Sequence, residues 1–487
     1  MWDVHQRARR GIRLLVGRQA VLQLLAIGGG IVVARGLGPE RLGVFGIALF
    51  VVGMLALVAD LGMRTVLIRR AAPVTELELG TCFTVQQGLV TALVALLVMA
   101  APAVATLYGQ APGELAWLLR LLALDLYLRS WRGMSEVRLE RELRYRELAV
   151  ADVVGSVGYQ AVAIGLVLAG WGVESLAWAV LTGNVLRTAL LYHASPWPVR
   201  LVLYPPAVRE LVGVGVPLQA SNIVSLTPGW VTPTLVAGLV GPEAVGLVTW
   251  AAAIGRKPLE ALENIVRVSL SHFARLQDDV EEVERILARY VIVSLLVCGL
   301  WLAVLAVAGR DLVTLVYTER WLPAMPALLL YAVAGMLASV RRLAVAALIG
   351  IGRVRFTAQV SAAGALVAVG ASTILVLRVG FVGVPLGQLA GIALAVPWLL
   401  SGLRPGAQAR ILRGGLAVLA PMAAAIAAGS LTTLVPLAPA ARGLVTAGVI
   451  SAVYAAVAWR VGPEWLRSGV RAEVALSVRQ LRESATP

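Results

Sequence analysis

The sequence predicts an all-α polytopic membrane protein of about fourteen transmembrane helices, built as two parallel six-helix repeats, an N-lobe and a C-lobe, plus two extra C-terminal helices. Three observations carry that prediction. Of the 487 residues, 59% are hydrophobic and 14% charged, which leaves too little polar surface for a water-soluble globule. The apolar runs last about twenty residues, the length a helix needs to span hydrocarbon, whereas barrel strands alternate over roughly ten. Finally, Gly38-Pro39-Glu40-Arg41-Leu42-Gly43 returns 203 residues later as Gly241-Pro242-Glu243-Ala244-Val245-Gly246. The same spacing carries Asp60 and Arg64 onto Glu263 and Arg267.

The expected spans lie at about 14–37, 42–62, 81–107, 115–134, 148–169, 172–193, 209–238, 244–262, 287–309, 323–350, 355–377, 382–402, 411–433 and 441–460. Basic residues precede the first run and no small-residue cleavage site follows it, so it reads as a retained helix rather than a signal peptide. The first six spans (residues 1–203) and the next six (204–402) form the repeats. Each contains an even number of helices, so the two share one orientation and are related by an axis along the membrane normal. Upstream, Leu15-Val16-Gly17 with Leu22-Gln23 matches Leu211-Val212-Gly213 with Leu218-Gln219 at an offset of 196. The second copy therefore holds seven extra residues, near Pro228 and Pro233. With Pro217, these prolines predict a bent seventh span. Residues 403–460 add two helices without a counterpart, and 461–487 form a charged tail. The connections 129–147 and 263–286 read as amphipathic inner-face helices, the second through Phe273, Leu276, Val280 and Val283.

A net charge of +15 raises the question of nucleic acid, and the placement of the charge answers it. Outer loops hold Arg35, Arg41, Arg310, Arg320, Arg378 and Arg442, while most other basic residues fall in inner loops and tails. That asymmetry predicts both termini in the cytoplasm and attraction to anionic lipid, with no nucleic-acid partner. Cys82 and Cys298 sit in or beside apolar runs, and His5, His193 and His272 are scattered, so neither a disulfide framework nor a metal site is expected. No cofactor is expected. A G-x-x-x-x-G-K-[ST] phosphate loop and a D-x-D sequence are both missing, and the short outer connections leave no room for a catalytic domain.

Charges inside spans cost roughly 2.5 to 3.5 kcal/mol each and are functional hypotheses by default. Eight are basic: Arg18, Arg120, Arg129, Arg187, Arg256, Lys257, Arg341 and Arg342. Arg18, Arg129, Arg256, Lys257 and Arg341 are the candidates to make a cavity between the halves cationic. For Arg256 and Lys257 the alternative is snorkelling to the inner interface. Arg341 and Arg342 are adjacent, so one faces the cavity and the other a neighbouring helix. On the fourth span Asp125, Arg129, Arg132 and Glu136 share one helical face. They read either as the charged wall of a water-filled cavity or as an internal ion pair, with Arg132 and Glu136 at the inner interface. Asp60 with Arg64, and Glu263 with Arg267, read as gating pairs or as helix-end anchors. Gln219, Ser221 and Asn222 either line the path or bond between helices.

At the repeats, ARGLGPERLGVFGIALFV followed by LVADLGMRTVLIRR closely resembles the start of Wzx-type polysaccharide flippases of the multidrug/oligosaccharidyl-lipid/polysaccharide (MOP) exporter superfamily. LVGPEAVGLVTWAAAIGRKPLE, then SHFARLQDD, then Glu319-Arg320-Trp321 before Pro323, resemble later landmarks of that family. The resemblance covers residues 10 to 400. It implies a fourteen-helix, two-lobed protein in the bacterial cytoplasmic membrane. Such a protein moves an undecaprenyl-diphosphate-linked oligosaccharide from the inner to the outer leaflet by alternating access, alongside polysaccharide polymerase and assembly proteins. It also implies a lipid-tail groove formed by residues 411 to 460. The chain departs from the family at Ala252 and Ala253, where a basic or aromatic residue is common; Arg256 lies one turn beyond. The drive is either the membrane potential or proton or sodium coupling through Asp125 or Asp60. The alternative reading is a cation-coupled multidrug exporter, against which the basic excess argues; a membrane glycan polymerase or ligase ranks below both.

Overall fold

The computed structural model describes residues 2–461 apart from 71, 109–111, 261, 263–272, 274–275 and 277–278. Side chains are described from residue 23 onward, apart from 24 and those positions, and apart from 112, 221–222 and 224–228. Among the described residues every regular element is helical. The helices are α1 (Trp2–Asp60), α2 (Met63–Arg69), α3 (Glu76–Leu107), α4 (Pro112–Arg141), α5 (Tyr145–Leu168), α6 (Glu174–Ala194), α7 (Pro205–Val231) and α8 (Pro242–Gly255). They continue with α9 (Val280–Val307), α10 (Gly309–Val316), α11 (Met325–Gly350), α12 (Val354–Val379), α13 (Gly383–Ser401), α14 (Pro405–Thr432) and α15 (Pro439–Val461). Each of the fourteen expected spans falls on one of these helices, the first two sharing α1. Among the described residues eight helical segments are long and apolar enough to cross a membrane on length and composition alone, and Val354–Ser401 holds two successive helices.

The repeated motif has one backbone solution in both places. Gly38 breaks α1 with φ 77°, and Gly241 precedes α8 with φ 109°. Each glycine occupies the left-handed region that a side chain disfavours, and each hands the chain to a proline whose fixed φ suits a first helical position. Around Pro233 the α-helical bonding of the seventh span gives way to a π-helical stretch, Thr232–Val236.

The chain forms two compact units, Met1–Thr249 and Trp250–Pro487. The repeat boundary at 203/204 is a statement about sequence; by packing, α7 lies with the first unit, where Gln219 Nε2 donates to Leu57 O at 2.7 Å. In that unit α3 pairs with α4, α5 with α6, and α4 also packs on α6 and α1. Met63, Leu67, Cys82, Phe83, Met134, Trp197 and Leu211 form a core at one end, with the Phe83 and Trp197 rings edge to face at 4.8 Å. In the second unit α12 pairs with α13, α14 with α15, and α9 packs on both α11 and α14. Its core gathers Phe273, Val283, Leu287, Val291, Leu343, Ala347, Leu399 and Ile411. Phe273 and Val283, two of the four apolar residues singled out in the 263–286 connection, lie in this core, while residues 263–272, 274–275 and 277–278 of that connection lie outside the described residues. Trp321 is fully buried against Trp250 at 5.0 Å, which gives the Glu319-Arg320-Trp321 landmark a packing role. Both cysteines are buried free thiols.

One packing detail repeats between the units. In the first, α5 and α6 cross where Gly155 and Gly183 meet, a Cβ on Gly183 falling 2.7 Å from Gly155 O. In the second, α12 and α13 cross where Gly364 and Gly391 meet, a Cβ on Gly391 falling 2.3 Å from Gly364 O. Small residues let helix backbones approach closely where apolar burial against lipid supplies little force.

Candidate functional site

The first unit holds a cavity of about 290 Å³ lined by Asp60, Arg64, Gln86, Arg129, Ser130, Arg132 and Gln219, with Leu57, Val90 and Leu126 among its apolar wall. Its size lies at the lower end of the usual range for ligand pockets. Three guanidinium groups and one carboxylate face this space.

Asp60 and Arg64 reach it through a break in the helix. Asp60 ends α1, Leu61 (φ 47°) and Gly62 (φ 69°) turn left-handed, and Arg64 stands in the first turn of α2. Arg64 Nε bonds to Asp60 Oδ1 across the break. The carbonyls at the end of α1 lack intrahelical partners, and side chains from other helices supply them. Gln219 donates to Leu57 O at 2.7 Å and Gln86 Nε2 to Asp60 O at 3.5 Å, the same Gln86 amide also reaching the Asp60 Oδ1 carboxylate oxygen at 3.3 Å. The ion pair four residues apart therefore joins two helices at a turn, where the sequence left it as either a gate or an anchor on one helix.

The α4 stripe forms the opposite wall. Asp125 is 1% exposed and accepts from Arg129 Nε at 2.5 Å and from Asn184 Nδ2 at 2.6 Å. It sits behind the cavity and aims Arg129 into it. Arg132, 8% exposed, lines the cavity and donates to Asn184 Oδ1 at 2.8 Å. Asn184 on α6 thus holds a carboxylate with its amide nitrogen and a guanidinium with its oxygen.

Glu136, one turn further, joins three arginines from three helices. Its partners are Arg64 at 3.4 Å, Arg132 at 3.5 Å and Arg187 at 3.2 Å. Arg187 also reaches Asp152 on α5 at 2.8 Å. Across the whole network four acids face four arginines, so the buried charge is balanced while the groups exposed to the cavity are cationic in excess. Unpaired charges in such surroundings are expensive, and pairing each acid with an arginine offsets part of that cost.

The candidates of the second unit are not gathered in this way. Arg256 bonds Gln388 Oε1 on α13 and lies 4.6 Å from the centre of the Tyr331 ring, a cation-π contact. Lys257 pairs with Glu260 at 2.7 Å. The Arg341 Nε is buried without a hydrogen-bond partner in the structure. The Arg18, Ser221 and Asn222 side chains, together with all of Glu263 and Arg267, lie outside the described residues. Among the described residues no group of three or more His, Cys, Asp or Glu is arranged to hold a metal ion.

Sequence reasoning assigned Arg132 and Glu136 to the inner interface and did not connect Asn184, Arg187 or Asp152 to the site. The stripe at four, three and four residues was the signal for the first two. Arg187 announced itself only as a charge within a span, and its partners come from tertiary packing.

The arrangement of helices is similar to that of the lipid II flippase MurJ in an inward closed conformation, with a TM-score of 0.75 and 14% identity over 92% of this chain and 98% of that one. It is also similar to an inward-facing multidrug resistance MATE family transporter of the MOP superfamily, with a TM-score of 0.60 and 20% identity over 81% and 95% of the two chains. Fold and composition define a multi-pass membrane protein of this architecture.

Within that class the chain belongs to the polysaccharide biosynthesis protein family, whose sequence model matches residues 32–326. That stretch includes the whole charged cavity. Similar curated proteins are the teichuronic acid biosynthesis protein TuaB of Bacillus subtilis (strain 168), 24% identical over 291 residues, and the succinoglycan biosynthesis transport protein ExoT of Rhizobium meliloti (strain 1021), 24% identical over 303 residues. The matches take in 58% and 61% of this chain, and the chain spans about three fifths of the length of these relatives, 58% and 60%.

Proposed function

We propose that this chain is a flippase that carries an undecaprenyl-diphosphate-linked oligosaccharide from the inner to the outer leaflet of the bacterial cytoplasmic membrane, by alternating access, for surface polysaccharide biosynthesis. Family membership supports the pathway class, as does the similarity to one protein named for teichuronic acid biosynthesis and another named for succinoglycan transport. The observation that carries the reading is the cavity of the first unit, where Arg64, Arg129 and Arg132 face one space beside Gln86, Ser130 and Gln219.

A diphosphate linked to sugars asks for those two kinds of partner. Guanidinium groups present paired N–H donors to phosphate oxygens. Amide and hydroxyl groups match sugar hydroxyls. A polar headgroup cannot cross hydrocarbon cheaply without them, while the lipid tail remains in the bilayer. In this scheme Arg64 exchanges Asp60 and Glu136 for phosphate, and Arg129 is presented by Asp125. Arg18, Arg256, Lys257 and Arg341 are proposed as further cationic contacts along the path, and Glu263 with Arg267 as the counterpart of the Asp60 and Arg64 gate.

With the cell interior negative, outward movement of an anionic headgroup is favoured by about 2.3 kcal/mol per charge per 100 mV. Proton or sodium coupling through Asp125 or Asp60 is the competing drive. Both termini are proposed to face the cytoplasm on the basic bias of the loops, and a polysaccharide polymerase and assembly proteins of the same pathway are proposed as partners. A cation-coupled multidrug exporter would call for a cavity with the opposite excess of charge. The test is protein-dependent transfer of a labelled undecaprenyl-diphosphate oligosaccharide across proteoliposomes, with efflux of a cationic dye as the opposing result.

A further inference from the structure

We propose that Gly133 is a positioning residue for the charged cavity: the space it leaves on α4 is the slot in which the Arg64 side chain lies. Residue 133 comes four after Arg129 and three before Glu136, so it belongs to the charged stripe of α4 while carrying no charge itself. Arg64, from α2, fills that position. Gly133 is buried, and a Cβ on it would fall 2.8 Å from Arg64 Cδ and 2.9 Å from Arg64 Nη1. Nη1 is also the atom that donates to Glu136 Oε2 at 3.4 Å.

The helix that carries Arg64 is anchored at both ends, so the side chain is the part free to yield. Carbonyls at the end of a short helix lack intrahelical donors, and here one guanidinium from α4 supplies them. Arg141 Nη1 donates to Leu67 O at 2.7 Å and to Arg70 O at 2.6 Å, and its Nη2 donates to Ala72 O at 2.7 Å. At the other end, a Cβ on Gly62 would run into Gly215 O on α7, so that turn is seated against backbone.

The contact at Gly133 therefore differs from the Gly155 and Gly183 crossing, where an added carbon meets a carbonyl. A methyl group at 133 meets the far end of a flexible side chain, and the fold accommodates it by moving Arg64. The cavity does not. Arg64 lifts away from α4, its bond to Glu136 breaks, and guanidinium groups from two helices no longer converge on one phosphate. That consequence for substrate rests on the flippase reading.

The test compares Gly133→Ala with Gly165→Ala on α5, where an added Cβ meets nothing within 4 Å. Alanine improves helix propensity at both, so each is expected to unfold in detergent no lower than about two degrees below the wild type. A fall in Gly133→Ala well beyond that of Gly165→Ala makes residue 133 a packing position and overturns the proposal. Unfolding temperatures also read the coupling of Arg64 to Glu136. In the wild-type background Arg64→Gln and Glu136→Gln together should lose less than the sum of their separate shifts, and in the Gly133→Ala background the shifts should add. Additivity in both backgrounds, or coupling that survives Gly133→Ala, overturns the proposal. In proteoliposomes, Gly133→Ala should raise the concentration of labelled undecaprenyl-diphosphate oligosaccharide that gives half-maximal transfer by about tenfold, the size of one lost bond to a charged group. Gly133→Ala/Arg64→Gln should match Arg64→Gln alone, since the slot serves that side chain. A further loss in the double variant, or an unchanged half-maximal concentration in Gly133→Ala, overturns the proposal. If the wild type transfers nothing, the flippase reading fails, and the coupling measured by unfolding still decides the placing of Arg64.

Discussion

Gly43 and Gly246 occupy the same place in the two copies of the repeated motif, and each lies against the backbone of the other copy. A Cβ on Gly43 would fall 1.7 Å from Pro242 O, and a Cβ on Gly246 would fall 1.9 Å from Pro39 O. Both contacts lie within the first compact unit. The approach is to carbonyl oxygens, which cannot rotate away as a flexible side chain does. We expect Gly43→Ala and Gly246→Ala each to destabilise the protein by about 2 kcal/mol or more, as overpacking does. At Gly46 an added Cβ meets only Val245 Cγ1 at 3.8 Å, so Gly46→Ala is the control and should unfold within a degree or two of the wild type, in line with a neutral substitution. Thermal unfolding in detergent makes the comparison.

Asp125 is held by a guanidinium and an amide, and the two roles proposed for it separate by substitution. Asp125→Ala leaves the Arg129 and Asn184 donors without their acceptor and should cost about 3 kcal/mol. Asp125→Asn keeps an oxygen acceptor and should cost less. If Asp125→Asn transports with the pH dependence of the wild type, Asp125 presents Arg129 and carries no coupling proton.

Glu136 draws three arginines together, so its removal should act through all of them. Glu136→Ala and Arg187→Ala are each expected to destabilise, and the double variant to lose less than the sum by about 1 kcal/mol or more, the mark of groups in one network. Strict additivity would place the 3.2 Å Arg187 contact outside the energetics of the site.

The Arg442 guanidinium grips Asp311 with two bonds, from Nε at 2.6 Å and Nη2 at 2.8 Å. Its hydrogen bonding holds the Asp311 carboxyl below its ordinary value. The folded state therefore binds that proton less readily than the unfolded chain. The pair contributes stability above the ordinary aspartate value of about 3.9, and the contribution drains away as pH falls through the lower, folded value. Asp311→Asn should lower the unfolding temperature at about pH 6, and the gap should narrow progressively as the pH falls below the ordinary aspartate value of about 3.9. A gap that does not change with pH would remove the charge from the explanation.

Much of the fold was legible because its signals are local. Each apolar run of about twenty residues became a helix, and Gly-Pro-Glu marked a left-handed glycine followed by a helix start in both copies. The site was legible in part. The α4 spacing put Asp125, Arg129, Arg132 and Glu136 on one face, but periodicity does not say which neighbouring helices that face meets, so the cavity that Arg132 lines could not be read from it. Asp60 and Arg64 read as a helix pair because nothing local announces that Leu61 turns left-handed. Asn184, Arg187 and Asp152 come from helices whose approach to α4 is a tertiary fact. Arg256 was singled out for its charge, while its Tyr331 and Gln388 partners lie far along the chain.

The most direct measurement of the central claim is the rate at which labelled undecaprenyl-diphosphate oligosaccharide appears in the far leaflet of proteoliposomes. Wild type would be compared with Arg64→Gln, Arg129→Gln, Arg132→Gln and Arg256→Gln, each first shown to be folded. Protein-dependent movement that falls by about tenfold or more in the three cavity variants is the expected result, equivalent to losing roughly 1.4 kcal/mol or more of transition-state stabilisation. Movement at the wild-type rate in all three, or none in the wild type alongside efflux of a cationic dye, would contradict it.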